Sequence, residues 1–278
     1  MLYFAIALLA STIGAISGIG GGIIIKPVMD CFSDLSPSAI SFMSGCTVLA
    51  MACSTYIRGL KSPVKINYAT TLWLAFGACA GGWLGKIVFS MIAANATANV
   101  KVIQSVMLLI INLLVFLYLV KKAGIQTKHI KNKLVCVIIG FILGVSSSFL
   151  GIGGGPINIV VLSFFFSTQA KETAKNSLFI ILFSQLTSFI TTVATHTVPD
   201  VNLFYLAIMC FGGISGAIIG SAIAKKMDNA TTEKFFRNLL IALIALNIYN
   251  IFVALKHLKQ SDIHKNPDLS KVRIFLLL

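Results

Sequence analysis

The stretch GIGGG at residues 18–22 recurs letter for letter at residues 151–155, an offset of 133 residues. Further blocks match in the same order at nearly the same offset. Ser44 falls on Ser177, Ser54-Thr55 on Thr187-Ser188, Gly77, Gly81 and Gly85 on Gly212, Gly216 and Gly220, and Asn95-Ala96-Thr97 on Asn229-Ala230-Thr231. An internal repeat of this kind predicts two halves built to one design.

Long uncharged stretches surround both copies of GIGGG. The chain has 278 residues, of which 57% are hydrophobic and 11% are charged, against about 25% charged in a soluble domain. Residues 2–25, 102–120 and 138–166 contain no Asp, Glu, Lys or Arg. Such runs match the roughly 20 apolar residues that cross a bilayer. The first run lacks a basic start, so we expect it to belong to the mature protein rather than to a secretory signal.

Each half is predicted to contain a Gly-broken segment followed by three transmembrane helices. These spans are expected near residues 38–57, 67–90, 101–120, 174–195, 201–224 and 236–255. The predicted regions are a first repeat (1–122), a cytoplasmic link (123–133), a second repeat (134–256) and a polar C-terminal tail (257–278). The fold class is therefore an all-α polytopic membrane protein with about eight to ten membrane segments.

Lys and Arg concentrate in alternate loops, and this bias predicts the orientation. The basic loops are expected in the cytoplasm at 58–65, 121–133 and 225–226, and the others outside at 30–34, 91–100 and 196–200. The second half starts inside at Lys133 and must be inside again near residues 171–175, so its Gly-broken segment has to go in and return. The halves are then inverted copies. The basic tail after Leu255 opposes this scheme, which places it outside.

Helix breaks at matching places in two inverted halves predict a transporter's binding site. Glycines leave backbone amides free to face a ligand, and each costs about 1 kcal/mol of helix stability relative to Ala. A helix starting at Ile23 or Pro156 would aim its positive N-terminus at the cavity, which favours an anion. The predicted substrate-binding glycines are Gly20, Gly21, Gly22, Gly153, Gly154 and Gly155. The alternative is that they only let two helices pack closely.

Polar residues beside the breaks are further candidates for substrate binding. Lys26 lies about one helical turn beyond Gly22, close enough to contribute charge to an anion. Snorkelling of Lys26 toward the outer surface explains its position equally well. Neutral hydrogen bonds could come from nine side chains, with interhelical packing as their alternative role. The favoured ones are Ser44, Asn158, Asn176 and Ser177, and the others are Ser54, Thr55, Gln185, Thr187 and Ser188. The GxxxGxxxG runs at 77–85 and 212–220 are expected to pack helices instead.

The sequence argues against several other functions. The eight carboxylates and four histidines lie near segment ends, in loops or in the tail, so neither a buried proton relay nor a catalytic residue is predicted. The six cysteines form no CxxC pair, and no metal or cofactor is predicted. The net charge of +14 is read as membrane orientation, not as nucleic-acid binding. A passive channel remains the rival function, an intramembrane enzyme a weaker one, and assembly as a homo-oligomer stays open.

Three features together resemble the TauE/SafE family of membrane permeases. They are the doubled GIGGG, the Ala-rich stretches that lead to Ser44 and Ser177, and GAIIG at 216–220 followed by Lys225-Lys226. The resemblance covers the chain up to about Leu255. It implies a multi-pass carrier of the bacterial inner membrane, often associated with export of sulfite, sulfonates or related organosulfur anions.

Two positions depart from the family's pattern. Phe42-Met43-Ser44 and Lys175-Asn176-Ser177 stand where family members often show Gly-Thr-Ser. Pro27 follows the first GIGGG at a distance, whereas Pro156 follows the second directly. We therefore expect a carrier for a small anion, sulfite or an organosulfur anion, that works in the lipid bilayer by alternating access between the two breaks.

Overall fold

The computed structural model describes residues 1–33, 35–60, 66–95 and 97–265, with side chains described outside 94–101, 123 and 255–265. This part of the chain forms ten α-helices, one 3₁₀ turn at Lys122–Gly124 and no strand, as predicted for an all-α protein. The helices are α1 (Leu2–Ser17), α2 (Gly22–Phe32), α3 (Pro37–Gly59), α4 (Tyr68–Asn95), α5 (Thr97–Lys121), α6 (Lys133–Leu150), α7 (Gly155–Phe166), α8 (Ala170–Ala194), α9 (Leu203–Lys226) and α10 (Asn229–Lys265).

Seven of these helices are long and apolar enough to cross a membrane: α3, α4, α5, α6, α8, α9 and α10. The three spans predicted in each half are α3 to α5 and α8 to α10. Each Gly-broken segment is a pair of helices, α1 with α2 and α6 with α7, of which α1 and α7 are shorter apolar helices.

The glycines end one helix and begin the next. Gly18 caps the C-terminus of α1 in the left-handed region with φ 78°, and Gly151 caps α6 with φ 65°. Helices α2 and α7 begin at Gly22 and Gly155, one residue before the predicted starts. An L-residue pays about 1–2 kcal/mol in this region, so glycine is the residue that permits these breaks.

The GxxxGxxxG runs pack helices closely, as predicted. A Cβ on Gly85 of α4 would lie 2.5 Å from the carbonyl oxygen of Val145 in α6, and one on Gly81 would overlap the Phe141 carbonyl. In the second half, a Cβ on Gly212 of α9 would lie 2.9 Å from the Phe4 carbonyl oxygen in α1. The backbones of α4 and α6, and of α9 and α1, therefore touch without side chains between them.

Helices of one half pack against helices of the other half, and the main pairs of this kind have equivalent pairs related by the repeat. If α1 to α5 correspond to α6 to α10, the α4–α6 pair corresponds to the α9–α1 pair, and α3–α9 to α8–α4. These four are among the most extensive helix pairs in the described structure. Helices α3 and α8, and α5 and α10, pack on their own counterparts. The core is thus built by each half against the other.

The predicted link is held against the second half. Its backbone NH groups at Lys128 and Ile130 donate to the carbonyls of Phe164 (2.8 Å) and Phe165 (3.0 Å) at the end of α7. Helix α10 continues to Lys265, so the expected boundary at 256 falls inside this helix. The loop at 61–65, Asp34 and the tail from 266 to 278 lie outside the described residues.

Candidate functional site

The two glycine breaks pack on the same pair of side chains. A Cβ on Gly20 would lie 3.4 Å from Ile181 Cδ1 and 3.6 Å from Val48 Cγ1. A Cβ on Gly153 would lie 2.8 Å from Val48 Cγ1 and 3.3 Å from Ile181 Cγ2. Val48 of α3 and Ile181 of α8 are fully buried and belong to one core cluster. The repeat offset of 133 residues relates Gly20 to Gly153 and Val48 to Ile181. Each half of the chain therefore contributes one glycine and one side chain to this centre.

The other predicted glycines are also buried against neighbours. A Cβ on Gly22 would lie 2.6 Å from the Ile152 carbonyl oxygen, and one on Gly155 would lie 3.3 Å from Ile23 Cδ1. Gly21 faces Ser11, and Gly154, with φ 95°, faces the amide of Asn158. In this conformation the breaks fit together closely.

A cavity of about 240 Å³ opens where α1, α3 and α9 end and α8 and α10 begin. Four cationic side chains line it, and its described lining contains no carboxylate: Arg58, Lys171, Lys175 and Lys225. We call it the basic chamber. Tyr56 and Phe179, with ring centroids 5.5 Å apart, contribute to its apolar wall. It reaches the end of α1, at the first break, because Ala15 and Ile16 line it. Cationic side chains in the wall, without a carboxylate in its described lining, favour an anionic ligand.

A second cavity, of about 20 Å³, lies where α6 and α8 end and α3 begins, against Lys86 in the second half of α4. We call it the narrow chamber. By the repeat offsets of 133 and 135, nine of its eleven lining residues correspond to residues that line the basic chamber. Ser41 corresponds to Ala174, Ser188 to Thr55 and Lys86 to Ser221, for example. The two chambers are the same cavity formed twice, once wide and once almost closed.

Helices α3 and α8 connect the chambers in opposite directions. Helix α3 lines the narrow chamber at Ser41 and the basic chamber at Thr55, about 21 Å further along its axis. Helix α8 starts at the basic chamber and reaches the narrow chamber at Ser188. Val48 and Ile181 lie halfway along these stretches. The paired glycine breaks therefore separate the two chambers.

Lys26, predicted to contribute charge to an anion, is buried in an ion pair. It is 1% exposed, its Nζ lies 3.8 Å from Asp30 Oδ2, and it donates to Ser41 Oγ at 3.3 Å. Asp30 is also buried, with 7% of its side chain exposed. The sequence prediction overlooked this pair, although the (i, i+4) spacing within α2 could have revealed it. Ser41 places Lys26 directly behind the wall of the narrow chamber.

The remaining predicted residues are buried in helix interfaces. Ser44 and Ser177, which are repeat counterparts, are fully buried, and neither Oγ has a hydrogen-bond partner within the described structure. Asn176 Oδ1 accepts from the backbone NH of Asn67 at 3.4 Å. Asn158 lies beside Gly154. None of the eleven favoured site residues is among the described residues that line the two chambers. Three of the further neutral candidates do line them: Thr55 in the basic chamber, and Gln185 and Ser188 in the narrow chamber.

Sequence reasoning missed the charged residues that line them. Lys86 is the one charged residue between positions 66 and 100, and a lone charge inside a span is itself a functional signal. Arg58 was read only as an orientation signal, although its buried Nε has no hydrogen-bond partner within the described structure. In the same part of the chain, no group of three or more His, Cys, Asp or Glu could hold a metal ion.

Comparison with known proteins agrees with this arrangement. The family described as "Sulfite exporter TauE/SafE" matches residues 3–248. The "Probable membrane transporter protein YunE" of Bacillus subtilis (strain 168) is 24% identical over 273 residues, covering 90% of this chain and 97% of the relative. No solved structure matches the chain. The match confirms the resemblance seen in the doubled GIGGG, and together with the seven apolar helices it makes the chain a multi-pass membrane protein. The chain belongs to the TauE/SafE family of membrane transporters.

Proposed function

We propose that the chain is an alternating-access carrier that moves a small anion, sulfite or an organosulfur anion such as a sulfonate, across the cell (inner) membrane. The observation that carries this proposal is the repeat correspondence between a wide chamber and an almost closed one. A carrier of this kind exposes one central site to each side of the membrane in turn.

The repeats are proposed to be inverted in the membrane. Support comes from α3 and α8, which are counterparts and run between the chambers in opposite directions. Support also comes from the basic loops, because Arg58 and Lys225 lie at one end of the molecule, where the basic chamber opens. This end faces the cytoplasm, and the described conformation is open to that side.

Two inverted halves of the same design can exchange conformations at little cost in free energy. If α1 to α5 adopt the arrangement of α6 to α10, and the reverse, the basic chamber closes and the narrow chamber opens. The packed centre of Val48, Ile181 and the two glycine breaks separates the chambers in the described conformation and prevents a continuous pore. The anion passes this centre during the exchange, when the centre loosens and neither chamber is open.

The charge of the chambers favours an anion over a cation. Four cations and no described carboxylate line the basic chamber. Its wall also contains aromatic and aliphatic side chains, which suit the apolar part of an organic anion. The name of the matching family points to sulfite among small anions. The proposed partners are therefore this anion and the lipid bilayer.

Counterflow in proteoliposomes tests the proposal. Vesicles preloaded with unlabelled sulfite, sulfate, thiosulfate, sulfoacetate or taurine receive a trace of the same labelled solute outside. A carrier accumulates the label transiently above equilibrium, and uptake saturates with concentration. Linear, non-saturating flux without counterflow would indicate a channel, and no flux with any of these solutes would remove the sulfur-anion assignment.

A further inference from the structure

We propose that Lys86 is an anion-binding residue of the narrow chamber, which holds the transported anion when this chamber opens on the non-cytoplasmic side. The inference rests on the proposed function and extends it, because it assigns a second binding position and the group that provides its charge.

Lys86 is a buried cation inside a span. It lies about 14 Å along α4 from Asn95, the nearer end of this helix, and the residue is 8% exposed. Its ammonium group sits 5.2 Å from the centre of the Phe89 ring. Within the described structure, no carboxylate lies at ion-pair distance from its Nζ. A buried ammonium without a counter-ion is costly, so its presence in the chamber wall points to an anion that pairs with it.

Polar groups that suit an oxyanion line the same chamber as Lys86. Ser148 lines the same chamber, is 4% exposed, and its Oγ has no hydrogen-bond partner in the described part of the chain. Gln185 is 3% exposed, and its amide nitrogen donates to Ser147 Oγ at 3.1 Å. Ser41 contributes a further hydroxyl. One cation and several neutral donors, without a carboxylate in the described lining, match a small oxyanion.

The two chambers acquire their charge at different positions. The repeat counterpart of Lys86 is Ser221, and the counterpart of Lys175 in the basic chamber is Phe42. The cations of the two chambers therefore lie at positions that the sequence repeat does not relate to each other. At about 20 Å³ the narrow chamber has room for about one water molecule, so the anion reaches Lys86 only after this chamber has widened.

The test measures transport separately from each face of the membrane. Right-side-out and inside-out vesicles carry wild type, Lys86→Gln or Lys86→Arg, and uptake of labelled sulfite, thiosulfate and sulfate gives KM at each face. Lys86→Gln should raise the ratio of the non-cytoplasmic KM to the cytoplasmic KM by about tenfold, the effect of losing a hydrogen bond to a charged group. Lys86→Arg should largely restore the ratio, and Lys175→Gln should shift it in the opposite direction.

An unchanged KM ratio in Lys86→Gln overturns the inference while the carrier function stands. The inference is also overturned if Lys86→Gln lowers the maximal rate equally at both faces and Lys86→Arg does not restore it. A merely structural cation–π contact would give this result. If wild type transports none of the probes, the sulfur-anion assignment fails, and thermal shift of purified protein decides on the site. A melting-temperature increase with one of these anions over chloride, lost in Lys86→Gln, supports the site, and no increase in wild type overturns it.

Discussion

Val48 of α3 and Ile181 of α8 are repeat counterparts, and both pack against Gly20 and against Gly153. Both side chains are fully buried, and each lies halfway between the chambers. The centre of the molecule is therefore formed by two side chains and two glycine breaks, with each half supplying one of each.

Alanine substitutions at the two breaks separate the energetic cost of backbone strain from that of steric overlap. Gly20 and Gly153 have nearly the same φ, 79° and 81°, so Gly20→Ala and Gly153→Ala should each lose about 1–2 kcal/mol of stability through that conformation. Gly153→Ala should lose more, because its Cβ would lie 2.8 Å from Val48 Cγ1. Chemical unfolding in detergent measures both.

A double-mutant cycle with Val48→Ala checks the cause of that extra loss. Shortening Val48 should remove the excess in Gly153→Ala and leave Gly20→Ala unaffected, where the nearest Val48 atom is 3.6 Å from the Cβ position. Equal losses at Gly20 and Gly153, with no coupling to Val48, would contradict the described packing.

The buried pair of Lys26 and Asp30 should respond as a unit. Lys26→Met leaves a buried carboxylate without its ammonium, so we expect a loss of about 3–5 kcal/mol in unfolding free energy. Lys26→Met combined with Asp30→Asn should recover most of it. Transport by the recovered double variant then separates the two roles of Lys26. Near-normal KM indicates a structural pair, and a raised KM indicates that Lys26 contributes charge to the substrate, as the sequence predicted.

Much of this architecture can be predicted from the sequence because bilayer physics dictates it. Uncharged runs of about 20 residues have to be spans, and a run interrupted by GIGGG cannot continue as one helix. Glycines four residues apart form one smooth helix face, and for this reason the close packing at Gly81 and Gly85 was predictable. The breaks at 18–22 and 151–155 fell within one residue of their predicted ends for the same kind of reason.

The chambers could not be predicted in this way. They form where helix ends from both halves meet, and nothing local in the sequence connects Thr55 to Ser221 or Ser41 to Lys86. The sequence placed the site on the glycines themselves, whereas the cavities lie on either side of them. Gln185 and Ser188 were candidates for neutral hydrogen bonds, and the lone Lys86 was the one charged signal of the narrow chamber.

Close packing of α4 on α6 reverses the usual effect of replacing glycine in a helix. Gly→Ala in a helix interior normally stabilises by about 1 kcal/mol. Gly81→Ala should instead destabilise by about 1–3 kcal/mol, because its Cβ would overlap the Phe141 carbonyl. Gly124→Ala is the matched control, since nothing lies within 4 Å of its Cβ position, and it should leave the melting temperature nearly unchanged. A stabilising Gly81→Ala would argue against this helix contact.

Arg58 should contribute to anion affinity at the basic chamber. Its buried Nε has no hydrogen-bond partner within the described structure, so it can donate to a ligand. Arg58→Gln should raise the KM for the anion at the cytoplasmic face by about tenfold. Lys226→Gln removes the same net charge from an exposed position outside the chamber lining and should change KM by less than about twofold. If the two variants raised KM equally, Arg58 would act only through the overall positive charge at this end of the protein.

The most direct test of alternating access compares the counterpart positions Gly59 and Thr192, which line the basic and the narrow chamber. Gly59→Cys and Thr192→Cys are each placed in a chain whose six native cysteines are replaced, and labelling by an impermeant maleimide is timed from each face. Without substrate, Gly59→Cys should react quickly from the cytoplasmic face, and Thr192→Cys, at a position 1% exposed, should be protected. A transported anion should slow the first reaction and speed the second from the opposite face. If both positions react together, with no reciprocal change on adding the anion, the chambers form a continuous pathway and the carrier account is wrong.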